Sequence, residues 1–366
     1  MPGALVLVSG ATGYIGSHVI RELLDNGYRV RGTVRNLKKP APHLEAWIAN
    51  GDALELVEAD LGEPQGWPAA CQGCDLVAHV ASPFFMGCKP SEAEEKLYKP
   101  AREGTLTVLR AAKDAGSVKR VVLTSSIAAI MVGHTNAELE AQPEDLWSDE
   151  DKCEPYLRSK TMAEKAAWDF VDENPGCFEL SVVNPGLVIG PPLSSGDAQS
   201  HRIVRRFIMH ELPAIPDYSQ YVVDVRDVAI GHRLALEKPD ADGKRFALVA
   251  GQISFLQIAK ALKAEFSQYG YNVPTFRLPY LFLWFASLYD KEARSILPEI
   301  GLKLANFNNS KARTELGMDF RDSAQSVVEH VHGCLQLGVK GFKKTAKYKR
   351  AFPAQSQALV ANPSSE

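Results

Sequence analysis

The chain has 366 residues, of which 45% are hydrophobic and 23% charged, and a formal net charge of −3. That length carries a large α/β core with an added lobe, or two domains, and the near-neutral balance gives no basic footprint for nucleic acid or for an anionic membrane. The six cysteines, at 71, 74, 88, 153, 177 and 334, form no metal-binding pattern. Cys71-x-x-Cys74 has neither a second pair nor neighbouring histidines, and reads as reduced thiols at a turn.

Met1-Pro2-Gly3 leads directly into a strand, so no signal peptide is expected. Leu5–Val8 is a continuous apolar run bounded by glycine, the pattern of a buried parallel strand. Gly10-Ala11-Thr12-Gly13-Tyr14-Ile15-Gly16 follows, then helical periodicity over 17–26, closed by Gly27. Further strands are predicted at 28–34, 54–59, 76–80, 120–124 and 180–183, with helices over 103–115 and 156–172. Asn184-Pro185-Gly186 ends the last of these strands. Strands alternating with helices predict an α/β fold: a Rossmann-like, doubly wound parallel sheet covered on both faces.

From residue 191 the alternation stops. Residues 191–196 read as a loop, 221–229 as a short strand feeding a helix, and 251–312 as amphipathic helices mixed with prolines and aromatics. The expected organisation is a Rossmann-like domain over 1–190, its sheet completed by segments near 220–250. Residues 191–340 would form mainly a smaller mixed substrate lobe over the sheet's carboxyl edge. The basic stretch 340–350 reads as a solvated helix end, and 351–366, small, polar and proline-containing, as a disordered tail. The longest nearly apolar run, 278–288, is too short to span a bilayer, so a cytoplasmic location is expected.

The glycine motif lies between a strand and a helix, the context in which backbone closely approaches a pyrophosphate and a helix N-terminus faces it. Gly10, Thr12, Gly13, Tyr14, Ile15 and Gly16 are therefore candidate cofactor residues. An acidic side chain usually follows the second strand when the ribose hydroxyls are free. Here the strand ends in Thr33-Val34-Arg35, with Lys38 and Lys39 following, so the predicted cofactor is NADP(H), with Arg35 as a planar fork for the 2′-phosphate. Asp60 and Leu61 after the third strand are placed at the adenine, and Val80, Ala81 and Ser82 beneath the adenosine and ribose; Asp60 taken alone reads as a helix cap.

Reduction of a carbonyl leaves an alkoxide that needs a proton. Tyr156 and Lys160 are four residues apart on a predicted helix and share a face. A nearby ammonium lowers the pKa of a phenol, ordinarily about 10. Lys160 can also hold the nicotinamide ribose. Thr124-Ser125-Ser126 ends the fifth strand, and Ser126 is the expected hydroxyl on the substrate carbonyl.

With these motifs in place the chain resembles the extended short-chain dehydrogenase/reductase (epimerase/dehydratase) family, and within it the dihydroflavonol-reductase and cinnamoyl-CoA-reductase branch. The resemblance rests on residues 8–17, 27–35, 59–61, 79–83, 123–126, 147–149, 156–168 and 184–191. It implies a catalytic triad of Ser126, Tyr156 and Lys160, a 2′-phosphate site of Arg35 and Lys39, and a nicotinamide bordered by Pro185 and Leu187. The implied activity is NADPH-dependent reduction of a ketone or aldehyde.

Two departures withhold the branch's plant substrates. Ile127-Ala128-Ala129-Ile130-Met131 replaces the asparagine-bearing stretch after the catalytic serine, and Lys152-Cys153-Glu154-Pro155-Tyr156 replaces the cinnamoyl-CoA-reductase signature. Ile130 and Met131 read equally as the wall of an apolar or aromatic pocket and as core. Ser82, Phe84, Phe85, Tyr218 and Tyr221 are candidate wall residues; His134 and His201 are weaker candidates for substrate contact. The partner expected is a small carbonyl substrate, with no nucleic acid, no membrane span, no metal, and a monomer or homodimer. Alternatives on the same fold are a hydroxysteroid dehydrogenase, a nucleotide-sugar epimerase or dehydratase, and a non-catalytic NADPH sensor.

Overall fold

The computed structural model describes residues 2–39, 41–82, 90–289, 294 and 296–353. They fall into two units, one built from Met1–Gly186, Arg226–Leu248 and Asn308–Asp319, the other from the described residues of Leu187–Val225, Val249–Phe307 and Phe320–Glu366.

Seven parallel strands form the first unit's sheet: β1 (Leu5–Val8), β2 (Arg29–Val34), β3 (Leu54–Glu58), β4 (Leu76–His79), β5 (Arg120–Thr124), β6 (Glu179–Pro185) and β9 (Lys244–Leu248). Their order, β3-β2-β1-β4-β5-β6-β9, reverses direction between β1 and β4. Carboxyl ends of strands at such a reversal open a crevice for ligands. The helices are α1 (Tyr14–Asp25), α2 (Pro42–Ala49), α3 (Trp67–Cys71), α4 (Lys99–Ala115), α5 (Asn136–Ala141) and α6 (Pro155–Glu173). Side chains alternate between faces along a strand. Leu5, Leu7, Val77, Val121, Leu123, Leu180 and Val182 accordingly share one core with Val108 and Leu109 of α4 and Ala167 and Phe170 of α6. Every residue of β1, β4 and β5 is buried, as a sheet covered on both faces requires.

Two helix starts and one sheet assignment differ notably from the sequence reading. Helix α1 starts at Tyr14, because Tyr14-Ile15-Gly16 form its first turn. Helix α4 starts at Lys99, four residues early; Pro100 fits there because first-turn amides have no partner within the helix. Of the region near 220–250 expected to complete the large sheet, 244–248 does so, whereas 219–224 lies in a second sheet. The edge beside β6 is taken by β9, in the register Ser181↔Lys244 to Pro185↔Leu248.

In the second unit, β7 (Leu187–Ile189), β8 (Ser219–Asp224) and β10 (Gly251–Ser254) form a three-stranded mixed sheet, β8 in the middle. Its core gathers Ile189, Phe207, Val222, Ile258, Phe266, Val331 and Tyr348, drawn from that sheet and from helices Gln199–Ile208, Phe255–Phe266, Ser323–Leu337 and Ala346–Ala351. Helix Tyr280–Ser287 departs from the expected amphipathic pattern: of its described side chains only Leu283 and Ser287 are buried. Among the described residues no helix is long and apolar enough to cross a membrane. Of the predicted tail, 354–366 lie outside the described residues.

Candidate active site

The loop after β1 is shaped by its glycines. Gly10 has φ +72°, a left-handed conformation that favours glycine, and a Cβ there would meet the Ala81 side chain at 3.1 Å. A Cβ on Gly16 would stand 2.2 Å from the Gly10 carbonyl oxygen, inside any tolerable contact. The Gly10 and Ala11 amides donate to the Thr33 hydroxyl and carbonyl at 3.0 Å each, and the Gly13 amide closes the turn onto the Gly10 carbonyl at 2.9 Å. Gly13, at the N-cap of α1, offers no side-chain cap, and the first turn holds no carboxylate. Thr12 and Gly13 are exposed, Tyr14 and Ile15 half-buried and Gly16 buried. This is a backbone cradle with an uncompensated helix dipole behind it, and it fits a dinucleotide pyrophosphate.

Ser9 ties this loop to the end of β4. Its hydroxyl oxygen accepts from the Val80 and Ala81 amides at 2.9 and 2.8 Å, which leaves its proton for His79 Nδ1 at 2.8 Å. Val80, Ala81 and Ser82 are thereby held against the glycine loop. Arg35 and Lys39 both stand exposed just past β2. The intervening turn is closed by the Leu37 amide on Glu58 Oε2 at 3.0 Å and the Lys39 amide on the Asn36 carbonyl at 3.1 Å. Asp60 accepts from the Gly62 amide at 2.8 Å, so part of its carboxylate serves the local turn, and Leu61 packs beneath Gly104 of α4.

Pro155 opens α6 and Tyr156 is its second residue. One turn on, Lys160 Nζ donates to Ser82 Oγ at 2.8 Å and stands 5.9 Å from the Tyr156 ring centroid. The structure thus joins α6 to the end of β4, as a nicotinamide-ribose site requires. Ser126 follows β5. Its hydroxyl accepts from the Ala128 amide at 3.1 Å, capping the short turn Ile127–Ala129, and donates to the carbonyl of Pro185, the last residue of β6, at 3.4 Å. Its neighbour Ser125 has a buried hydroxyl with no hydrogen-bond partner among the described residues. It borders, with Ser82, Lys160 and Glu164, a small cavity.

One electrostatic expectation is reversed. Burial pushes the Tyr156 phenol up to about 12, where the sequence reading anticipates a lowered value. Burial likewise pulls the Lys160 ammonium down to about 8, opposed by the charge of Glu164. Desolvation of the charged form is the largest cause for both groups.

A buried network that the sequence reading misses fixes this arrangement. Glu164, one turn beyond Lys160, pairs through Oε1 with Arg245 Nε of β9 at 2.6 Å and accepts through Oε2 from Asn184 Nδ2 at 2.8 Å. Asn184 Nδ2 also donates to the Ser126 carbonyl at 3.2 Å. The Arg245 guanidinium lies over the Trp147 ring, 3.9 Å from its centroid, and donates to the Glu144, Leu146 and Ala129 carbonyls. Glu164 is legible by its i,i+4 spacing from Lys160; Arg245, 81 residues away, carries no local signal.

Other singled-out residues lie in or against packed surroundings. Ile130 is fully buried and Met131 half-buried. His134 bonds the Trp147 carbonyl at 2.8 Å. Cys71 and Cys74 are free buried thiols whose pKa values burial raises to about 12 and about 11. In the second unit Leu187 packs half-buried against the core, Tyr218 is buried, and Tyr221 donates to the Ala305 carbonyl at 3.2 Å. Phe84 and Phe85 lie outside the described residues.

His201, His330 and Cys334 bring three buried ligand atoms within 4.8 Å of one another. The Gly190 amide donates to His330 Nδ1 at 3.1 Å, so the ring proton sits on Nε2 and bonds His201 Nδ1 at 2.8 Å. A metal on Nε2 would force a proton onto Nδ1, opposite the Gly190 N–H. The donor set therefore suits a hydrogen-bonded histidine pair and not a metal ion.

The sequence pattern of the NAD dependent epimerase/dehydratase family matches residues 6–251. Cinnamoyl-CoA reductase 1 of Arabidopsis thaliana is 34% identical over 341 residues, covering 92% of this chain and 90% of that protein. Ketoreductase azaE of Aspergillus niger is 35% identical over 353 residues, covering 90% and 97%. Among solved structures, yeast methylglyoxal/isovaleraldehyde reductase Gre2 complexed with NADPH superposes with a TM-score of 0.73 at 27% identity, covering 91% of this chain and 99% of that one.

Proposed function

The chain belongs to the NAD dependent epimerase/dehydratase family and is an oxidoreductase, and from that premise we propose that it reduces a ketone or aldehyde on a small apolar or aromatic substrate, with NADPH as reductant. The observation that carries this reading is the placement of Lys160: on one helical face with Tyr156, and hydrogen-bonded to Ser82 at the strand end held against the glycine cradle. NADPH, when bound, supplies the hydride. Tyr156 donates its phenolic proton to the carbonyl oxygen as negative charge develops there. The Ser126 hydroxyl turns from the Pro185 carbonyl to polarise the same oxygen, and the Lys160 ammonium stabilises the phenolate that remains. A panel of aldehydes and ketones, followed by loss of nicotinamide absorbance, tests the reading. Cofactor binding without turnover on any of them would instead favour a sensor.

The choice of NADPH over NADH rests on Arg35 and Lys39, two exposed cations just beyond β2. A charged hydrogen bond contributes about 1.5–3 kcal/mol, so Arg35→Ala is expected to weaken NADPH binding by about ten- to a hundred-fold while changing NADH binding little. Titration of both nucleotides by tryptophan quenching measures this, and equal losses would refute the assignment.

The pH profile follows from the same site. Lys160 loses its proton as pH rises through about 8, while Tyr156, held at about 12, keeps its own throughout that range. kcat/KM for reduction is therefore expected to be flat at neutral pH and to fall on the alkaline side, with a midpoint near the Lys160 value. A rate that rises through this range would overturn the role given to the ammonium.

A further inference from the structure

Ser125 continues β5 by one residue. Its amide donates to the Val183 carbonyl at 2.8 Å, so the alternation of faces carries on past the strand. Thr124 turns to one face, where its hydroxyl bonds His232 Nε2 at 2.6 Å. Ser125 turns with Val121 and Leu123 to the other, the face covered by α4 and α6. There it borders a cavity with Thr105 of α4, with Lys160, Ala163 and Glu164 of α6, and with Ser82. The cavity has a volume of about 10 Å³, close to the roughly 10–15 Å³ that one water needs. Apolar voids stay dry, whereas a site with two to four polar partners holds a water. The residues around this one carry three hydroxyls, an ammonium and a carboxylate.

Two groups at the cavity call for a further hydrogen bond. Ser125 is 8% exposed, and its buried hydroxyl has no partner among the described residues. A buried hydroxyl left unpaired is destabilising. The Lys160 ammonium has three N–H donors. One goes to Ser82, and the nicotinamide ribose takes another under the function proposed above, which leaves a third for the cavity. We propose that one water molecule occupies this cavity, accepting from the Lys160 ammonium and donating to the Ser125 hydroxyl, and that Ser125 is through it a positioning residue for carbonyl reduction. The role in reduction rests on the proposed function; the water site does not.

A hydrogen bond to the charged form of a group favours that form, so loss of the water should pull Lys160 further below its value of about 8. The other ionisable groups around Lys160 hold their charge state near that pH. Glu164 is paired with Arg245, Tyr156 is held at about 12, and burial, with the nearby Lys160 charge, brings His79 of β4 down to about 3. The test has two parts. A crystal structure of the full chain without nucleotide should show an ordered water within hydrogen-bond distance of Ser125 Oγ and Lys160 Nζ. Titration of Lys160 by nuclear magnetic resonance on isotope-labelled lysine, and the alkaline limb of kcat/KM, should then both move down by roughly one pH unit in Ser125→Ala. Ala163→Val, which fills the cavity and keeps the hydroxyl, should give the same shift and decides if Ser125→Ala fails to fold. A merely structural serine would lower kcat/KM without moving either midpoint. The crystal structure and the titration need no turnover, so they stand even if no carbonyl is reduced. A dry cavity, a ribose hydroxyl of bound NADPH in place of the water, or unchanged midpoints in folded variants would each overturn the proposal.

Discussion

Tyr156→Phe is expected to lower turnover by about 10²–10⁴-fold, the contribution typical of a positioned acid, while leaving NADPH affinity within about two-fold. The substitution removes one hydroxyl and keeps the ring, so packing at the start of α6 and the hydrogen bond from Lys160 to Ser82 persist. With the phenol raised by burial, the wild-type hydroxyl is fully protonated at neutral pH and available as a donor. The loss should therefore fall on kcat and kcat/KM together, the signature of an interaction made in the transition state. Single-turnover loss of NADPH absorbance separates chemistry from product release. A variant that retains more than about a tenth of wild-type turnover would remove Tyr156 from the chemistry and leave the proton to another group.

The second large effect concerns stability. Glu164 is 1% exposed and Arg245 7%. Their ion pair is closed on all sides, by Asn184 on the carboxylate and by the Trp147 ring and three carbonyls on the guanidinium. Removing one partner strands the other charge in a dry interior, and Glu164→Ala is expected to destabilise the first unit by about 3–5 kcal/mol. Replacing both by apolar residues, as in Glu164→Leu/Arg245→Met, should recover much of that loss, because neither charge then remains buried alone. Urea unfolding followed by far-ultraviolet circular dichroism measures both. A single variant within about 1 kcal/mol of wild type would show that water or a neighbouring group takes over the partner's role.

Glu164 also couples the two effects. Its charge opposes the desolvation of Lys160, and its Asn184 contact holds the strand end that carries Ser126. Removing it should therefore alter the pH dependence of catalysis as well as the fold. By contrast Ser9, also missed in the sequence, acts through geometry alone: one hydroxyl joins the glycine loop to the Val80–Ala81 backbone. Ser9 carries no local signal of that role, whereas Glu164 shares a helical face with Lys160 at i,i+4.

What the amino-acid order alone determined here is everything governed by local rules. The apolar runs of β1, β4 and β5, the glycines at 10, 13 and 16, the pair Tyr156 and Lys160 one turn apart, and the cations after β2 are all set by spacings of a few residues. Steric and helical periodicities act on that scale. Tertiary structure decided what depends on desolvation and distant pairing. It took 219–224 out of the large sheet, matched Arg245 to Glu164, raised the phenol where a lowered value was anticipated, and left helix Tyr280–Ser287 uncovered. The cost of burying a charge and the area a helix hides both depend on neighbours that the chain brings in from far away, and no window of sequence contains them.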